Sequence, residues 1–104
     1  MPLTYDVIEF TDLRKGKGAI RKWTIRMEMP SGVSVSASGH TITHTPPSGG
    51  ATLTSPNLTI TSSSNNVTIF MGVVDVVGLH YLLATIVLSN SEQPQALLHV
   101  EVPF

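Results

Sequence analysis

The last quarter of the chain carries the pattern that most restricts how the protein can fold. Residues 78–88 are apolar at nearly every position, residues 89–94 form a polar break, and residues 96–102 alternate in polarity. A period of two residues is typical of a half-buried strand, and the break is rich in turn-forming residues. The sequence therefore predicts a closing β-hairpin, which we align with Leu88 opposite Gln95. The alternating strand has one face of Ala96, Leu98, Val100 and Val102, and another of Leu97, His99 and Glu101.

Composition favours an all-β chain. Thr, Val and Ile supply 30 of the 104 residues, and no helical apolar period is sustained over three turns. A chain of this length is expected to form one domain, 1–104, with a core of its own. Cysteine is absent, which excludes disulfides and thiolate metal sites. The first residues resemble no secretory signal, so we expect none.

Shorter β-rich runs precede the hairpin. In residues 19–29, Trp23, Ile25, Met27 and Met29 share the face that we expect to be buried, so Trp23 is predicted to be a core residue. Together with the hairpin, these runs give seven or eight short strands, the pattern of an immunoglobulin-like antiparallel β-sandwich. The runs before the hairpin are 4–10, 19–29, 33–35 and 67–71, with further short β-rich runs at 40–44, 52–54 and 58–61, not all of which are counted as strands.

Residues 45–57 interrupt this pattern. They include three prolines and two glycines and can bury little apolar surface. We expect a mobile, dispensable surface loop there.

The histidine positions do not predict a metal site. His40 and His44 have a spacing that brings two imidazoles together on a helix, but the Thr-Ile-Thr between them favours a strand. Along a strand the two are about 13 Å apart, too far for one ion. His80 and His99 lie on the two hairpin strands but do not face each other, because the expected register sets His99 opposite Ala84. No pattern typical of catalysis stands out, so we expect no catalytic residue, metal or cofactor.

The basic residues are clustered, although the net charge is −1. Such a cluster can bind phosphate groups or an acidic protein, or it can be a solvated loop that leads into a strand. Trp23 is the only aromatic residue among them, so a stacking platform for nucleic acid is missing and we do not expect nucleic-acid binding. No apolar run approaches the roughly 20 residues that span a bilayer, so no membrane partner is expected. The six cluster members are Arg14, Lys15, Lys17, Arg21, Lys22 and Arg26.

Several short motifs resemble a family of small immunoglobulin-like domains encoded by tailed bacteriophages and prophages. They are Trp23-Thr24-Ile25, the Pro30-Ser31-Gly32 turn, Val67-Thr68-Ile69-Phe70, and a corner at Gly78-Leu79-His80-Tyr81. The corner is similar to the tyrosine corner of immunoglobulin-like sandwiches, in which a tyrosine hydrogen-bonds back across the corner. The resemblance implies a virion-associated module without catalytic residues, located in the virion or in the cytoplasm of the bacterial host. It transfers no functional residue, because the shared motifs belong to the fold.

The sequence leaves two functions open. The first is a non-enzymatic structural or interaction module of phage or prophage origin, which binds itself and other virion proteins and no small-molecule substrate. The alternative is an immunoglobulin-like adhesion or carbohydrate-binding module of a surface protein. An aromatic platform would favour carbohydrate binding, but the chain has six aromatic residues and at least three are expected in the core.

The hairpin also predicts a partner surface. If Tyr81 points inward as a tyrosine corner, alternation places Leu83, Thr85 and Val87 inward with it. The opposite face is then exposed and apolar, and a patch of that kind usually marks association. A homo-oligomer joined through this face is the simplest partner; with the parity reversed, the same face is core. The expected interface residues are Leu82, Ile86, Leu88 and Leu97, with Ala84 between them.

Overall fold

The structure is a computed structural model that describes residues 7–104. Within this range all regular structure is β-strand, and the expected strand at 4–10 lies partly outside it. No helix long and apolar enough to cross a membrane occurs in the described part of the chain. The seven strands are β1 (Val7–Arg14), β2 (Arg21–Arg26), β3 (Thr41–Thr45), β4 (Leu58–Ser63), β5 (Asn66–Met71), β6 (Gly78–Thr85) and β7 (Gln95–Val102).

The strands form two packed sheets. One has the order β1-β7-β6-β3, and the other has the order β2-β5-β4. Every pair is antiparallel except β1 with β7, which is parallel. This confirms the predicted all-β sandwich, in which the parallel β1–β7 pair departs from the expected antiparallel arrangement. In it, β1 extends the sheet that contains the closing hairpin.

The core lies between the inner faces of the sheets. In β5, Val67, Ile69 and Met71 have no exposed surface, as their alternation predicts. In β2, Trp23 and Ile25 are half-buried against the core, whereas Thr24 on the other face is exposed, so the predicted inner face is confirmed. The buried residues of β7 are also the predicted ones: Ala96, Leu98, Val100 and Val102.

The expected register of the closing hairpin is wrong. Gln95 pairs with Thr85 rather than with Leu88, and His99 pairs with Tyr81 rather than with Ala84. The cause is the length of the turn. Backbone hydrogen bonds from Ile86 to Pro94 and from Leu88 to Glu92, both 2.9 Å, continue the pairing almost to the tip. Only residues 89–91 form the loop, not the six residues 89–94.

This shift of three residues exchanges the inner and outer faces of β6. The inward residues of β7 lie opposite even-numbered residues of β6, so these residues face the core. Tyr81 faces outward, where its ring makes an edge contact with His99, and the predicted inward tyrosine corner is wrong. Three of the four predicted interface residues are therefore core residues. Leu82 is 0% exposed, and Ile86 and Leu88 are each 1% exposed.

Residues 46–57 connect β3 to β4 without the strand expected at 52–54. The loop is attached to the sandwich at several points. The backbone N–H of Ala51 donates to the Asp75 carboxylate at 3.1 Å, and Leu53 packs against the core. Residues 46–57 share one end of the sandwich with residues 15–20, 72–77 and 103–104, because β1, β3, β5 and β7 all end there.

Candidate interaction surfaces

Two histidines from different strands are joined inside the sandwich. His44 of β3 and His80 of β6 are 5% and 0% exposed, and their facing atoms, Nε2 of His44 and Nδ1 of His80, are 2.8 Å apart. The ring planes lie within 5° of each other, with centroids 5.1 Å apart. That separation is the N···N distance plus one ring radius on each side, so the rings lie edge to edge in one plane rather than stacked.

The outer partners of the two rings fix their protonation. The backbone N–H of Leu53 donates to Nδ1 of His44 at 2.8 Å, so the proton of neutral His44 is on Nε2. That N–H donates to Nδ1 of His80, and His80 in turn donates from Nε2 to the carbonyl of Val76 at 3.0 Å. Each donor thus meets one acceptor only when both rings are neutral. We call this arrangement the histidine chain.

Protonation of either ring breaks the histidine chain. A second proton on His44 points at the Leu53 N–H, and one on His80 points at the His44 N–H, so two donors face each other. Burial lowers the pKa of His44 from 6.5 to about 4; the neighbouring His80 also lowers it, and Asp75 opposes the shift.

The remaining histidines have separate positions. His40 accepts from the backbone N–H of Val87 at 3.0 Å and lies 2.9 Å from the carbonyl of Ser36. His99 faces outward on β7, 3.6 Å from Glu9, so the prediction that it does not face His80 is confirmed. Within residues 7–104, no three His, Asp or Glu side chains are placed to share a metal ion.

The six clustered basic residues do not form one patch. Lys15 is 4% exposed and donates to the carbonyl of Gly16 at 2.8 Å, and burial lowers the pKa of its ammonium group. Arg26 lies at the far end of β2, opposite Asn66. Arg14 is 3.8 Å from Glu101 in an exposed ion pair. The remaining three are exposed near the end of the sandwich described above: Lys17, Arg21 and Lys22.

Apolar side chains collect at the same end. Of the six large apolar residues that are exposed in the described chain, only Ile8 lies elsewhere. The residues come from separate segments that backbone hydrogen bonds hold together. The backbone N–H of Lys17 donates to the carbonyl of Phe104 at 2.6 Å, and the backbone N–H of Val74 donates to the carbonyl of Lys17 at 3.0 Å. We call the surface formed by the other five apolar residues, together with Lys17, Arg21 and Lys22, the end surface. The five apolar residues are Ile20, Val73, Val77, Leu79 and Phe104, between 43% and 78% exposed.

The sandwich is also open along one side. The edge strands β3 and β4 border a groove of about 650 Å³ between the two sheets. Half-buried Ile42, Leu53 and Ile60 lie along it, and threonines form much of its rim.

The outer face of the four-stranded sheet differs from the expected interface. Leu97, the fourth predicted interface residue, is half-buried there opposite Leu83, and Tyr81 opposite His99 lies next to them. These side chains partly cover one another, so this face is less open than the end surface.

The histidine chain was not predicted from the sequence. His44 pairs with Leu82, which places it diagonally next to His80, but that contact follows only from the β3–β6 register. The alternation along each strand held a usable signal: His44 lies on the same face of its strand as half-buried Ile42, and His80 on the same face as buried Leu82. Comparisons of the chain with protein-family models, with curated proteins and with solved structures find no match.

Proposed function

We propose that this chain is a non-enzymatic structural or interaction module of phage or prophage origin that binds protein subunits of a virion. The observation that carries the proposal is the end surface. Five large apolar side chains from three separate segments are gathered at one end, and each is 43% or more exposed. Exposed apolar patches of this kind mark contact sites on soluble domains.

Charge on the end surface defines the chemistry of the partner. Lys17 is exposed in the same segment as Ile20, and Arg21 and Lys22 are exposed where β2 begins; Asp75 and Glu101 are exposed at this end too and offset part of the positive charge. A protein surface with an apolar centre and acidic residues around it complements this arrangement. Basic side chains outnumber acidic ones at this end, so a different, more acidic protein fits it better than a second copy does.

The motifs shared with phage-encoded immunoglobulin-like domains support the virion setting. In this setting the chain is made in the cytoplasm of the bacterial host and becomes part of the particle during assembly. The sandwich then acts as a rigid support that holds the end surface in place.

Incorporation into particles tests the proposal. Val77 is 51% exposed, so Val77→Lys places a charge in the apolar part of the end surface without opening the core. Thr24→Lys is the matched control, because Thr24 is exposed on the outer face of the three-stranded sheet. We expect the tagged parent and Thr24→Lys to co-purify with particles of the encoding phage, and Val77→Lys to be depleted at least about tenfold.

Two results overturn the proposal. If the parent chain is absent from purified particles, the virion assignment is wrong. If Val77→Lys is incorporated as well as Thr24→Lys, the end surface is not the contact.

A further inference from the structure

We propose that a second copy of this chain pairs with β3 edge to edge, so that the four-stranded sheets of two copies join into one continuous sheet. This deepens the proposed function, on which it rests, because it names one partner and the way in which it binds. The observation behind it is a difference between the two sides of the sandwich.

The edge strands on one side are protected against pairing. β1 carries Glu9, Asp12 and Arg14, and its pairing with β7 is interrupted between Phe10 and Leu13. Asp12 lies in this irregularity with a φ of 62°. Charged side chains and bulges are the usual devices that prevent a sheet edge from adding another strand. β2, the other edge on this side, has three exposed charges: Arg21, Lys22 and Arg26.

The edge strands on the opposite side have no such protection. β3 reads Thr-Ile-Thr-His-Thr and β4 reads Leu-Thr-Ile-Thr-Ser-Ser, with no Asp, Glu, Lys, Arg or Pro in either. The only histidine, His44, is turned into the core. Among the described residues, β3 pairs with β6 alone, and its register with β6 is continuous over all five positions. One edge of its backbone is therefore free to pair with an extended strand.

The sequence of β3 fits a second copy of itself. In an antiparallel pair centred on Thr43, Thr43 lies opposite Thr43 of the second copy, and Thr41 lies opposite Thr45 of the second copy. All three threonines are exposed on one face, and threonine pairs across strands are favourable. On the other face, Ile42 of one copy lies opposite His44 of the second copy. Because β3 reads nearly the same in both directions, this pairing places no like charges together. A charged edge such as β2 would instead set like charges close to each other.

This pairing also brings the open sides of the two sandwiches together. Each groove exposes part of Ile42, Leu53 and Ile60, and a neighbour paired along β3 shields this side from water. The two-fold arrangement uses the same patch on both copies and therefore closes as a dimer.

Cross-linking tests the register directly, because the chain has no cysteine of its own. Directly opposed residues of antiparallel strands have Cα atoms about 4.5–5.5 Å apart, within the range of a disulfide. We expect Thr43→Cys to form a disulfide-linked dimer under mild oxidation. Thr41→Cys and Thr45→Cys should cross-link when mixed but not alone, because each then lies about 13 Å from its own counterpart.

Sedimentation equilibrium provides the second measurement. The parent should form a concentration-dependent dimer, and Thr43→Lys should weaken it at least about tenfold, because two ammonium groups then face each other. Thr24→Lys, on an exposed face away from β3, should leave the dimer unchanged. If Thr43→Lys fails to fold, the cysteine variants still decide the question.

Several outcomes overturn the inference. They are a chain that stays monomeric, a dimer that Thr43→Lys does not weaken, and the absence of the Thr43→Cys cross-link. Binding of an extended peptide to β3 of a monomeric chain also overturns the second copy as partner. Val77→Lys, at the end surface, should leave the cross-link unaffected. A failure at β3 is thereby distinguished from a failure of the proposed function.

Discussion

The histidine chain should make the stability of the protein depend on pH between about 4 and 6.5. Folded His44 stays neutral down to a pKa of about 4, whereas in the unfolded chain it titrates near 6.5. Between these values the unfolded chain binds the extra proton, so acid favours unfolding. The stabilisation is complete above pH 6.5 and is lost progressively as the pH falls towards 4.

The size of the effect follows from the two pKa values. Each pKa unit corresponds to about 1.4 kcal/mol, so the difference amounts to roughly 3 kcal/mol of unfolding free energy. A domain of this kind is stable by about 5–15 kcal/mol in total, so the loss is easily measured. The slope contributed by His44 should approach about 1.4 kcal/mol per pH unit in the middle of the range.

Urea denaturation at a series of pH values measures this slope. His44→Gln cannot titrate, so it should lack the His44 contribution even if its stability at pH 7 is lower. His99→Gln is the matched control, because His99 faces outward and takes no part in the histidine chain. The difference between the parent and His44→Gln therefore reports the contribution of His44. If the parent and His44→Gln lose equal stability between pH 7 and pH 4.5, folded His44 is not held neutral and the reasoning is refuted.

Two further substitutions test the packing. Gly50→Ala should cost about 1–3 kcal/mol of unfolding free energy, because the new Cβ would lie 2.6 Å from Cγ2 of Val76 and 2.9 Å from the ring of Pro46. Gly18→Ala meets no atom within 4 Å and should change stability by about 0.5 kcal/mol or less; equal costs in urea denaturation would contradict this packing. Leu82→Ala should cost about 2–5 kcal/mol, and Leu83→Ala on the outer face clearly less, unless β6 has the opposite parity.

Strands with one polar face could be read from the sequence. The alternation in β5 and β7 identifies Val67, Ile69 and Leu98 as core, and the faces of β2 separate Trp23 from its exposed neighbours. In each case a period of two residues leaves one possible inner face.

β6 could not be read in this way, because both of its faces are apolar. Its parity depends on the length of the turn before β7, and the loop at residues 89–91 contains no glycine to mark it. Ser91 supplies the positive φ instead, at 72°, and the Asn90 side chain accepts the N–H of Glu92 at 3.1 Å. An error of three residues in the register was enough to exchange core and surface.

The candidate sites depend on contacts between distant parts of the chain. The histidine chain requires the β3–β6 register, and the end surface requires that residues 15–20 meet residues 72–77 and the C-terminal residues. Clustering in the sequence was misleading for the basic residues, because Lys15 turns inward and β2 carries Arg26 to the opposite end. The free edge of β3 could be recognised only after strand order was known.

The parallel pairing of β1 with β7 has a consequence for how the protein folds. Val7 pairs with Gln95, and β7 lies between β1 and β6, so β1 has no neighbour in its sheet before β7 exists. Pairing β1 with β7, the first strand with the last, closes a long loop of chain, and this costs chain entropy before the new contacts compensate for it. Sandwiches of this topology fold in milliseconds to seconds. During synthesis, β2, β4 and β5 can pair first, while the inner face of β6, including Leu82, stays in water. The four-stranded sheet is therefore completed only after its last strand has left the ribosome.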